Sequence, residues 1–224
     1  QFLRDQQIPT SDFIAADTPN LAQCKAFGFP LVQKARRGGY DGRGVAIMHS
    51  ADDFAQHLPV PSLLERFVTA EKEIAILVAR SSSGECITYP PVEMCFHPQE
   101  NVLDVLLAPA DIAPDIAQQA KQIALQTVQA LQGVGIFGIE MFIDQNQQIL
   151  VNEIAPRTHN SGHHTIDANI TDQFEQHLRA ILGLPLGSTD TLSPAAMVNL
   201  LGAPNEQGTP VLRKLPETLA IPGV

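Results

Sequence analysis

The sequence predicts an α+β protein in which a small α+β lobe precedes a larger, mostly antiparallel sheet backed by two helices. Apolar residues alternate in the two-residue period of β-strands within 74–78, and turn residues separate that run from the next apolar run. Neighbouring runs of this kind are typical of antiparallel meanders. The 3.6-residue period of helices occurs in two longer stretches, at 115–131 and after residue 172.

The small lobe is predicted to contain a glycine-rich loop between two short strands. Its elements are a short helical opening, a helix at 18–28, a strand at 31–35, a loop at 36–44, a strand at 45–48 and a short helix after residue 50. Thr18 as N-cap, Pro19 in the first turn and Gly28 at the end define the helix at 18–28. Ser50, followed three residues later by Asp53, starts the short helix.

The larger lobe is predicted to be a meander with one hairpin and two helices. Its elements are strands at 63–68, 73–79 and 86–92, a helix at 115–131, a hairpin at 136–154 and a helix at 172–183. Gly133 stops the first helix, and Asp172 with Glu175 forms a capping box for the second. The apolar residues of the second helix are Phe174, Leu178, Ile181 and Leu182. Both helices are expected to back the sheet.

The two ends of the chain look incomplete. Beyond residue 185 the pattern weakens, and only 197–201 is a candidate strand. The chain opens with Gln1 rather than Met, and it ends in Pro-rich sequence without a closing element. We therefore expect a truncation at both ends of a longer protein.

The composition excludes several classes of protein. Acidic residues outnumber basic ones 24 to 14, which argues against a nucleic-acid surface, because phosphate backbones require clustered Lys and Arg. The three cysteines form no Cys-x-x-Cys pair, so neither a disulfide framework nor a structural zinc site is indicated. No apolar run approaches the roughly 20 residues of a membrane span. We expect a cytoplasmic protein without a nucleic-acid or membrane partner.

The predicted hairpin carries one carboxylate on each strand. A polar turn at 144–147 separates the apolar runs 136–143 and 149–154, which contain Glu140 and Glu153. A two- or four-residue turn would place the two carboxylates opposite or diagonal on one face, whereas a three-residue loop or a bulge would break that parity. Facing carboxylates repel each other unless a cation lies between them, and Mg²⁺ is commonly held by one or two carboxylates. A solvated sheet face is the alternative interpretation.

A dense polar segment follows the second carboxylate. After Pro156 come Arg157, His159, Asn160, Ser161, His163 and His164. So many polar side chains in an irregular segment at the end of a buried strand are more typical of a functional site than of a linker.

The glycine-rich loop has the composition of a phosphate-binding loop. Four glycines fall within the seven positions 38–44, so the backbone can come close to a ligand and direct N–H groups at it. Lys34, Arg36, Arg37 and Arg43 supply local positive charge. The spacing matches neither the P-loop nor the Gly-x-Gly-x-x-Gly dinucleotide motif. The alternative is a flexible hairpin tip with solvated arginines.

Taken together, these motifs closely resemble the 5-(carboxyamino)imidazole ribonucleotide synthases, which are ATP-grasp enzymes. The resemblance is carried by KARRGGYDGRG at 34–44, LLERFV at 63–68, NEIAPRTHNSGH at 152–163, FEQHLRAILGLP at 174–185 and MVNLLG at 197–202. It covers nearly the whole chain. It implies an ATP-grasp fold with a small α/β lid lobe and a larger antiparallel sheet backed by helices.

The resemblance also implies an activity and a division into segments. The implied reaction is the ATP- and bicarbonate-dependent carboxylation of 5-aminoimidazole ribonucleotide to its carbamate through carboxyphosphate, in de novo purine biosynthesis. Family members are commonly dimers, so a homodimer is among the implied partners. The implied segments are the end of an amino-terminal domain or linker at 1–12, a lid subdomain at 13–66, the core with the site at 67–184 and the start of an incomplete carboxy-terminal domain at 185–224.

The resemblance assigns roles residue by residue. The implied ATP contacts are Lys34, Gly39, Gly42, Gly44, Glu65, Arg66, Phe67, Val68, Glu73, His97, Asn152 and Glu153. Among these, residues 65–68 form the hinge whose backbone meets adenine, and Glu73 binds the ribose. Glu140 and Glu153 hold Mg²⁺. The residues facing the ribonucleotide and bicarbonate are Tyr40, Asp41, Arg43, Arg157, His159 and Asn160.

Three other functions compete with this hypothesis. The first is another ATP-grasp carboxylate–amine ligase that acts on a different amine. The second is a metal-dependent hydrolase with Glu153, His159, His163 and His164 as ligands, which would leave the glycine-rich loop unexplained. The third is a non-catalytic nucleotide-binding module. Three further histidines, His49, His57 and His177, are interpreted as surface residues.

Overall fold

The computed structural model describes residues 1–39, 44–96, 102–200, 208–209 and 211–224. These residues form two β-sheets. The smaller sheet contains β1 (Phe13–Ala16), β2 (Leu31–Ala35), β3 (Val45–Met48) and β4 (Ser62–Arg66), in the spatial order β1-β4-β2-β3. Its buried core is small and includes Leu31, Met48 and Leu64.

The larger sheet contains seven strands. They are β5 (Ala70–Arg80), β6 (Cys86–Thr88), β7 (Val92–Phe96), β8 (Leu103–Ala108), β9 (Gly135–Asp144), β10 (Ile149–Ala155) and β11 (Ala195–Val198). The order is β10-β9-β5-β7-β8-β11, and β6 pairs with β5. All paired strands of both sheets are antiparallel. The α+β prediction is therefore confirmed.

Six α-helices and two 3₁₀ segments complete the described part of the chain. They are α1 (Phe2–Asp5), α2 (Leu21–Phe27), α3 (Pro114–Leu131), α4 (Thr165–Ala168), α5 (Gln173–Leu182) and α6 (Leu215–Leu219), with 3₁₀ turns at Ala51–Gln56 and Asn160–Gly162. Among these residues, no helix combines the length and the apolar character that crossing a membrane requires.

The prediction of Thr18 as a helix N-cap was wrong. The cap of α2 is Asn20, whose side chain accepts the Gln23 N–H while the Gln23 side chain accepts the Asn20 N–H. This reciprocal pair satisfies two backbone donors, which a threonine two residues earlier could not reach. The predicted end at Gly28 is confirmed, since Gly28 has a φ of +96°.

Alternation along β5 and β9 separates the two faces of the larger sheet. Ile74, Ile76 and Val78 of β5 pack with Ile139 and Met141 of β9 against α3 in the main apolar core. The residues between them face the opposite side, where α5 lies. The two helices therefore cover opposite faces of the sheet.

The helix α5 turns its polar side toward the sheet. Gln173, Gln176 and Ala180 are fully buried. The four apolar residues of the helix, Phe174, Leu178, Ile181 and Leu182, are 41–66 % exposed. The prediction that this helix backs the sheet is confirmed, but its large apolar residues do not face the sheet. The physical reason is that the buried glutamines bond backbone groups of nearby loops, as at His159 and Gly187.

The N-terminus of α5 also differs from the prediction. Asp172 caps it by accepting from the N–H groups of Phe174 and Glu175. The Glu175 carboxylate, however, pairs with Arg179 one turn later instead of completing a capping box. The predicted end at Gly183 is confirmed by its left-handed conformation.

Two connections relate the predicted segments to the sheets. Residues 67–69 join β4 of the smaller sheet directly to β5 of the larger one. The strand β11 comes from the predicted fourth segment but pairs with β8 of the larger sheet. The segment boundaries themselves stay predictions.

Candidate functional site

The hairpin of β9 and β10 places Glu153 directly opposite Glu140. The turn holds three residues between Asp144 and Gln148, and its last residue, Gln147, has a φ of +60°. With this turn, Val151 pairs with Met141. The register then shifts by one residue at Asn152, so that Glu153 becomes the partner of Glu140.

The shift is a β-bulge that puts two consecutive residues on one face. Val151 and Ile154 both pack on the α3 side of the sheet. Asn152 and Glu153, which lie between them, therefore both face the other side, with Glu140. A three-residue turn and a bulge were each expected to break the pairing of the carboxylates. Here both occur, and their effects on parity cancel.

Burial and like charge make Glu140 a weak acid. Burial, first of all, and the carboxylates of Glu153 and Glu73 together raise its pKa to about 7, against the opposing influence of Lys34 and Arg157. Burial likewise raises the pKa of Glu73, against the influence of Lys34. Three carboxylates and two cationic side chains thus converge on one face. A bound cation would relieve this repulsion.

Lys34 links the two sheets at this point. Its Nζ lies 2.7 Å from Asn152 Oδ1 on β10 and 2.8 Å from Glu65 Oε2 on β4. The ammonium group belongs to β2 of the smaller sheet, so it crosses to the bulge of the larger one. The side chain remains 28 % exposed, which leaves it accessible to a ligand.

His159 lies against Glu140 on the same face. Its Nε2 is 3.4 Å from Glu140 Oε1, and the ring is buried. His159 Nδ1 lies 2.8 Å from Ser161 Oγ and 3.3 Å from the Ser161 N–H, so Ser161 holds one side of the ring while Nε2 faces Glu140. The side chain packs closely on Gly138, where an added Cβ would lie 2.8 Å from His159 Cγ and 2.9 Å from His159 Cβ.

The remaining predicted residues of the polar segment lie nearby but differ in exposure. Arg157 is exposed, and its Nη1 donates to the Thr158 carbonyl at 2.8 Å. Asn160 is half-buried and accepts the Ser161 N–H at 3.0 Å. The segment therefore offers a guanidinium group and an amide beside the carboxylate pair.

In the predicted hinge at 65–68, the side chains of Glu65 and Arg66 bind residues of the smaller lobe. The Arg66 guanidinium donates to the Phe27 carbonyl at 2.8 Å and lies 4.8 Å from the centre of the Phe27 ring. The Phe67 N–H donates to the Pro30 carbonyl at 3.3 Å. Glu65 pairs with Lys34 as described. The role of backbone groups at 65–68 in meeting adenine stays a prediction.

Part of the glycine-rich loop is described at its base. The Gly44 carbonyl accepts the Ala35 N–H at 2.8 Å, and Gly44 lies so near Gly39 that an added Cβ would be 3.1 Å from the Gly39 Cα. The two ends of the loop therefore meet at close range. Tyr40, Asp41, Gly42, Arg43 and His97, which the sequence assigned to the site, lie outside the described residues.

The histidines do not form a metal centre with Glu153. Within the described ranges, no three His, Cys, Asp or Glu side chains are grouped in a way that could hold a metal ion. His163 Nδ1 accepts from Gln173 Nε2 at 2.9 Å, and burial lowers the pKa of His164 to about 4. The hydrolase hypothesis therefore has no support among these side chains.

Sequence reasoning missed several residues that shape the site. Gly138 packs against the His159 side chain, and the Gln173 amide bonds the His159 backbone. His177, interpreted as a surface residue, accepts the Ile136 N–H through Nδ1 at 3.1 Å, and its ring fills the space over Gly135. Each of these contacts joins residues that are distant in sequence, so a local sequence pattern cannot predict it.

Three comparisons with known proteins bear on this arrangement. A family model described as an ATP-grasp domain matches residues 1–174. The N5-carboxyaminoimidazole ribonucleotide synthase of Synechococcus elongatus is 45 % identical over 231 residues, which cover 100 % of this chain and 57 % of that protein. The chain thus spans little more than half the length of this relative.

Two solved structures show the same architecture. The N5-carboxyaminoimidazole ribonucleotide synthetase of Thermotoga maritima is 48 % identical, with a TM-score of 0.86 over 98 % of this chain and 57 % of that one. The N5-carboxyaminoimidazole synthase of Aspergillus clavatus, in complex with ADP and 5-aminoimidazole ribonucleotide, is 31 % identical, with a TM-score of 0.82 over 91 % of this chain and 55 % of that one.

Replacing Glu140 by Gln is expected to stabilise the ligand-free protein at alkaline pH. Because folding raises the pKa of Glu140 from an ordinary value near 4.5 to about 7, ionisation of the carboxylate lowers the stability of the native state as the pH rises from 4.5 to 7, and the loss is complete above pH 7. Gln mimics the neutral acid, so the gain should be largest at pH 8, at most about 3 kcal/mol, and should shrink as the pH falls from 7 towards 4.5.

Chemical unfolding at pH 8 and pH 5.5, without divalent ions, measures this difference. The exposed Glu85→Gln is the matched control, for which no comparable pH-dependent gain is expected. An equal effect of Glu140→Gln at both pH values would contradict the assigned cause.

Replacing Gly138 by Ala is expected to displace the His159 ring and to cost about 1–3 kcal/mol of stability, because the new Cβ has no room against the imidazole. A double-mutant cycle with His159→Ala tests this contact through unfolding free energies. The two substitutions should be non-additive by about 1 kcal/mol, since the clash with Cγ at 2.8 Å is absent when the ring is removed, while the clash with the His159 Cβ at 2.9 Å, which alanine keeps, remains. Strictly additive losses of unfolding free energy would show that the His159 ring is not what excludes a side chain at position 138.

Proposed function

Because the chain belongs to the ATP-grasp family, we propose that the protein at its natural length carboxylates the amine of 5-aminoimidazole ribonucleotide, using ATP and bicarbonate. The observation that carries the proposal is the facing pair of Glu140 and Glu153, with Lys34 reaching it from the other sheet. The identity to relatives named N5-carboxyaminoimidazole ribonucleotide synthase supports the choice of substrate. The product would be the carbamate used in de novo purine biosynthesis.

The residues of the site fit a magnesium ion. Glu140 and Glu153 lie on neighbouring strands, and burial and like charge raise the pKa of Glu140 to about 7. Such a pair is suited to a divalent cation whose remaining coordination positions are filled by phosphate oxygens. Glu140 and Glu153 would hold it. When bound, Mg²⁺ neutralises charge on the ATP phosphates and aligns them for transfer.

The chain itself supplies further charge for the phosphates. Lys34 presents an ammonium group between the two sheets, and the glycine-rich loop begins directly after its strand. An ATP phosphate reaching this point would compete with Glu65 and Asn152 for the Lys34 ammonium group. Because phosphate carries more charge than either of these partners, the exchange favours the ligand.

The proposed reaction follows from activation of bicarbonate. An oxygen of bicarbonate attacks the γ-phosphorus of ATP, ADP leaves, and carboxyphosphate forms. Loss of phosphate from carboxyphosphate releases carbon dioxide, whose carbon the substrate amine attacks, and the nitrogen then loses a proton. Arg157 would meet bicarbonate or carboxyphosphate with a bidentate fork, and His159 and Asn160 of the same segment would face the substrates with it.

The proposal extends to location and assembly. The cysteines of the protein, Cys24, Cys86 and Cys95, are free thiols, which suits the reducing cytoplasm. The homodimer implied by the resemblance stays a prediction.

Glu153→Ala is expected to abolish carbamate formation, because Glu140 alone would face the nucleotide phosphates with one metal ligand fewer. Nuclear magnetic resonance with ¹³C-bicarbonate, ATP and 5-aminoimidazole ribonucleotide measures the product on the protein at its natural length. Glu85→Ala, at an exposed position, is the control that should retain activity. Product formed equally well without ATP would overturn the proposal, and ATP hydrolysis stimulated only by another amine would favour a different ATP-grasp ligase.

Lys34→Met is expected to weaken ATP binding by about tenfold or more, because one phosphate-facing cation is lost. Lys72→Met is the matched control, since Lys72 pairs with Glu93 on the α3 side of the sheet. Titration calorimetry with Mg·ADP and Mg·ATP measures both. Equal losses in the two variants would remove Lys34 from the proposed nucleotide site.

A further inference from the structure

We propose that Gln173 is a positioning residue that holds His159 against Glu140 and thereby fixes this carboxylate for the metal–nucleotide complex. The inference rests on the proposed function and adds a residue to it. Gln173 is the first residue of α5, and its side chain is fully buried. It faces the polar segment that carries Arg157, His159 and Asn160.

The Gln173 amide binds the backbone of His159 at both ends. Its Oε1 accepts the His159 N–H at 2.8 Å, and its Nε2 donates to the His159 carbonyl at 2.8 Å. The side chain thus takes the place of a neighbouring strand for one residue. Nε2 also donates to His163 Nδ1 at 2.9 Å, so both amide hydrogens are used within the same segment.

Close packing leaves this arrangement little freedom. An added Cβ on Gly162 would lie 2.5 Å from Gln173 Oε1, and one on Gly138 would lie 2.8 Å from the His159 ring. The Gln173 N–H donates to Thr165 Oγ1 at 3.0 Å, and Asp172 caps the same helix end. The amide is therefore fixed to a rigid helix terminus.

The segment itself has little regular structure to hold it. Between the end of β10 at Ala155 and the start of α4 at Thr165, the described chain forms only the 3₁₀ turn Asn160–Gly162. Its contact with Glu140 is made by His159 Nε2 at 3.4 Å. Because Gln173 binds both backbone groups of His159, removing its amide takes away two of the bonds that hold the residue in contact with the proposed metal ligand.

The chain offers a matched control one turn along the same helix. Gln176 is equally buried, and its amide makes the same pair of bonds to Gly187, donating to the carbonyl at 2.8 Å and accepting the N–H at 2.8 Å. Gly187 belongs to the segment that follows α5, not to the one beside Glu140. Gln173→Leu and Gln176→Leu therefore remove the same chemistry from two different places.

The experiment compares these variants in the protein at its natural length. Unfolding midpoints are expected to fall to a similar extent in both. The Mg·ADP affinity, measured by titration calorimetry, should fall by about fivefold or more only in Gln173→Leu. The imidazole nitrogen resonances of His159 should likewise move only in that variant. Gln173→Glu, which keeps the acceptor for the His159 N–H, should recover part of the affinity and covers the case in which Gln173→Leu fails to fold.

The outcomes separate this inference from the proposed function. Losses of Mg·ADP affinity that match in the two leucine variants would show a purely structural role and overturn the inference. A wild-type protein that binds Mg·ADP but forms no carbamate would overturn the proposed function, while the comparison of Gln173 with Gln176 would still decide whether Gln173 positions the site.

Discussion

Glu140 and Glu153 repel each other, and the rest of the site depends on how this repulsion is offset. The bulge at Asn152 fixes the two carboxylates opposite each other, and burial on the α5 side of the sheet denies Glu140 full hydration. The opposing charges come from separate parts of the fold, Lys34 from the smaller sheet and Arg157 from the segment after β10. The carboxylate pair therefore becomes compatible with the fold only where both sheets and that segment meet.

The order of the sequence motifs predicts much of this arrangement. Two apolar runs on either side of a polar turn identified the hairpin and its two carboxylates, because this composition is a local property of strands and turns. The ATP-grasp fold implied by the resemblance is confirmed by the family match and by the solved relatives. The bulge was not predicted. A pattern that indicates it is nevertheless present in the sequence, since two polar residues, Asn152 and Glu153, lie between the apolar Val151 and Ile154.

Other features escaped prediction because their causes lie in tertiary contacts. Nothing near His177 in sequence indicates that its ring covers Gly135 and accepts the Ile136 N–H. The sequence also did not indicate which side of α5 faces the sheet, since an apolar stripe usually packs on a sheet and here does not. Here the loops beneath the helix expose backbone groups that only polar side chains can satisfy, and Gln173 and Gln176 meet that need.

The outward stripe of α5 has a practical consequence for solubility. An exposed apolar stripe on this helix is formed by Phe174, Leu178, Ile181 and Leu182. Strips of this kind attract one another, and the attraction grows with concentration. A preparation limited to these 224 residues should therefore self-associate or precipitate at high protein concentration. Charged substitutions along the stripe are expected to improve its solubility.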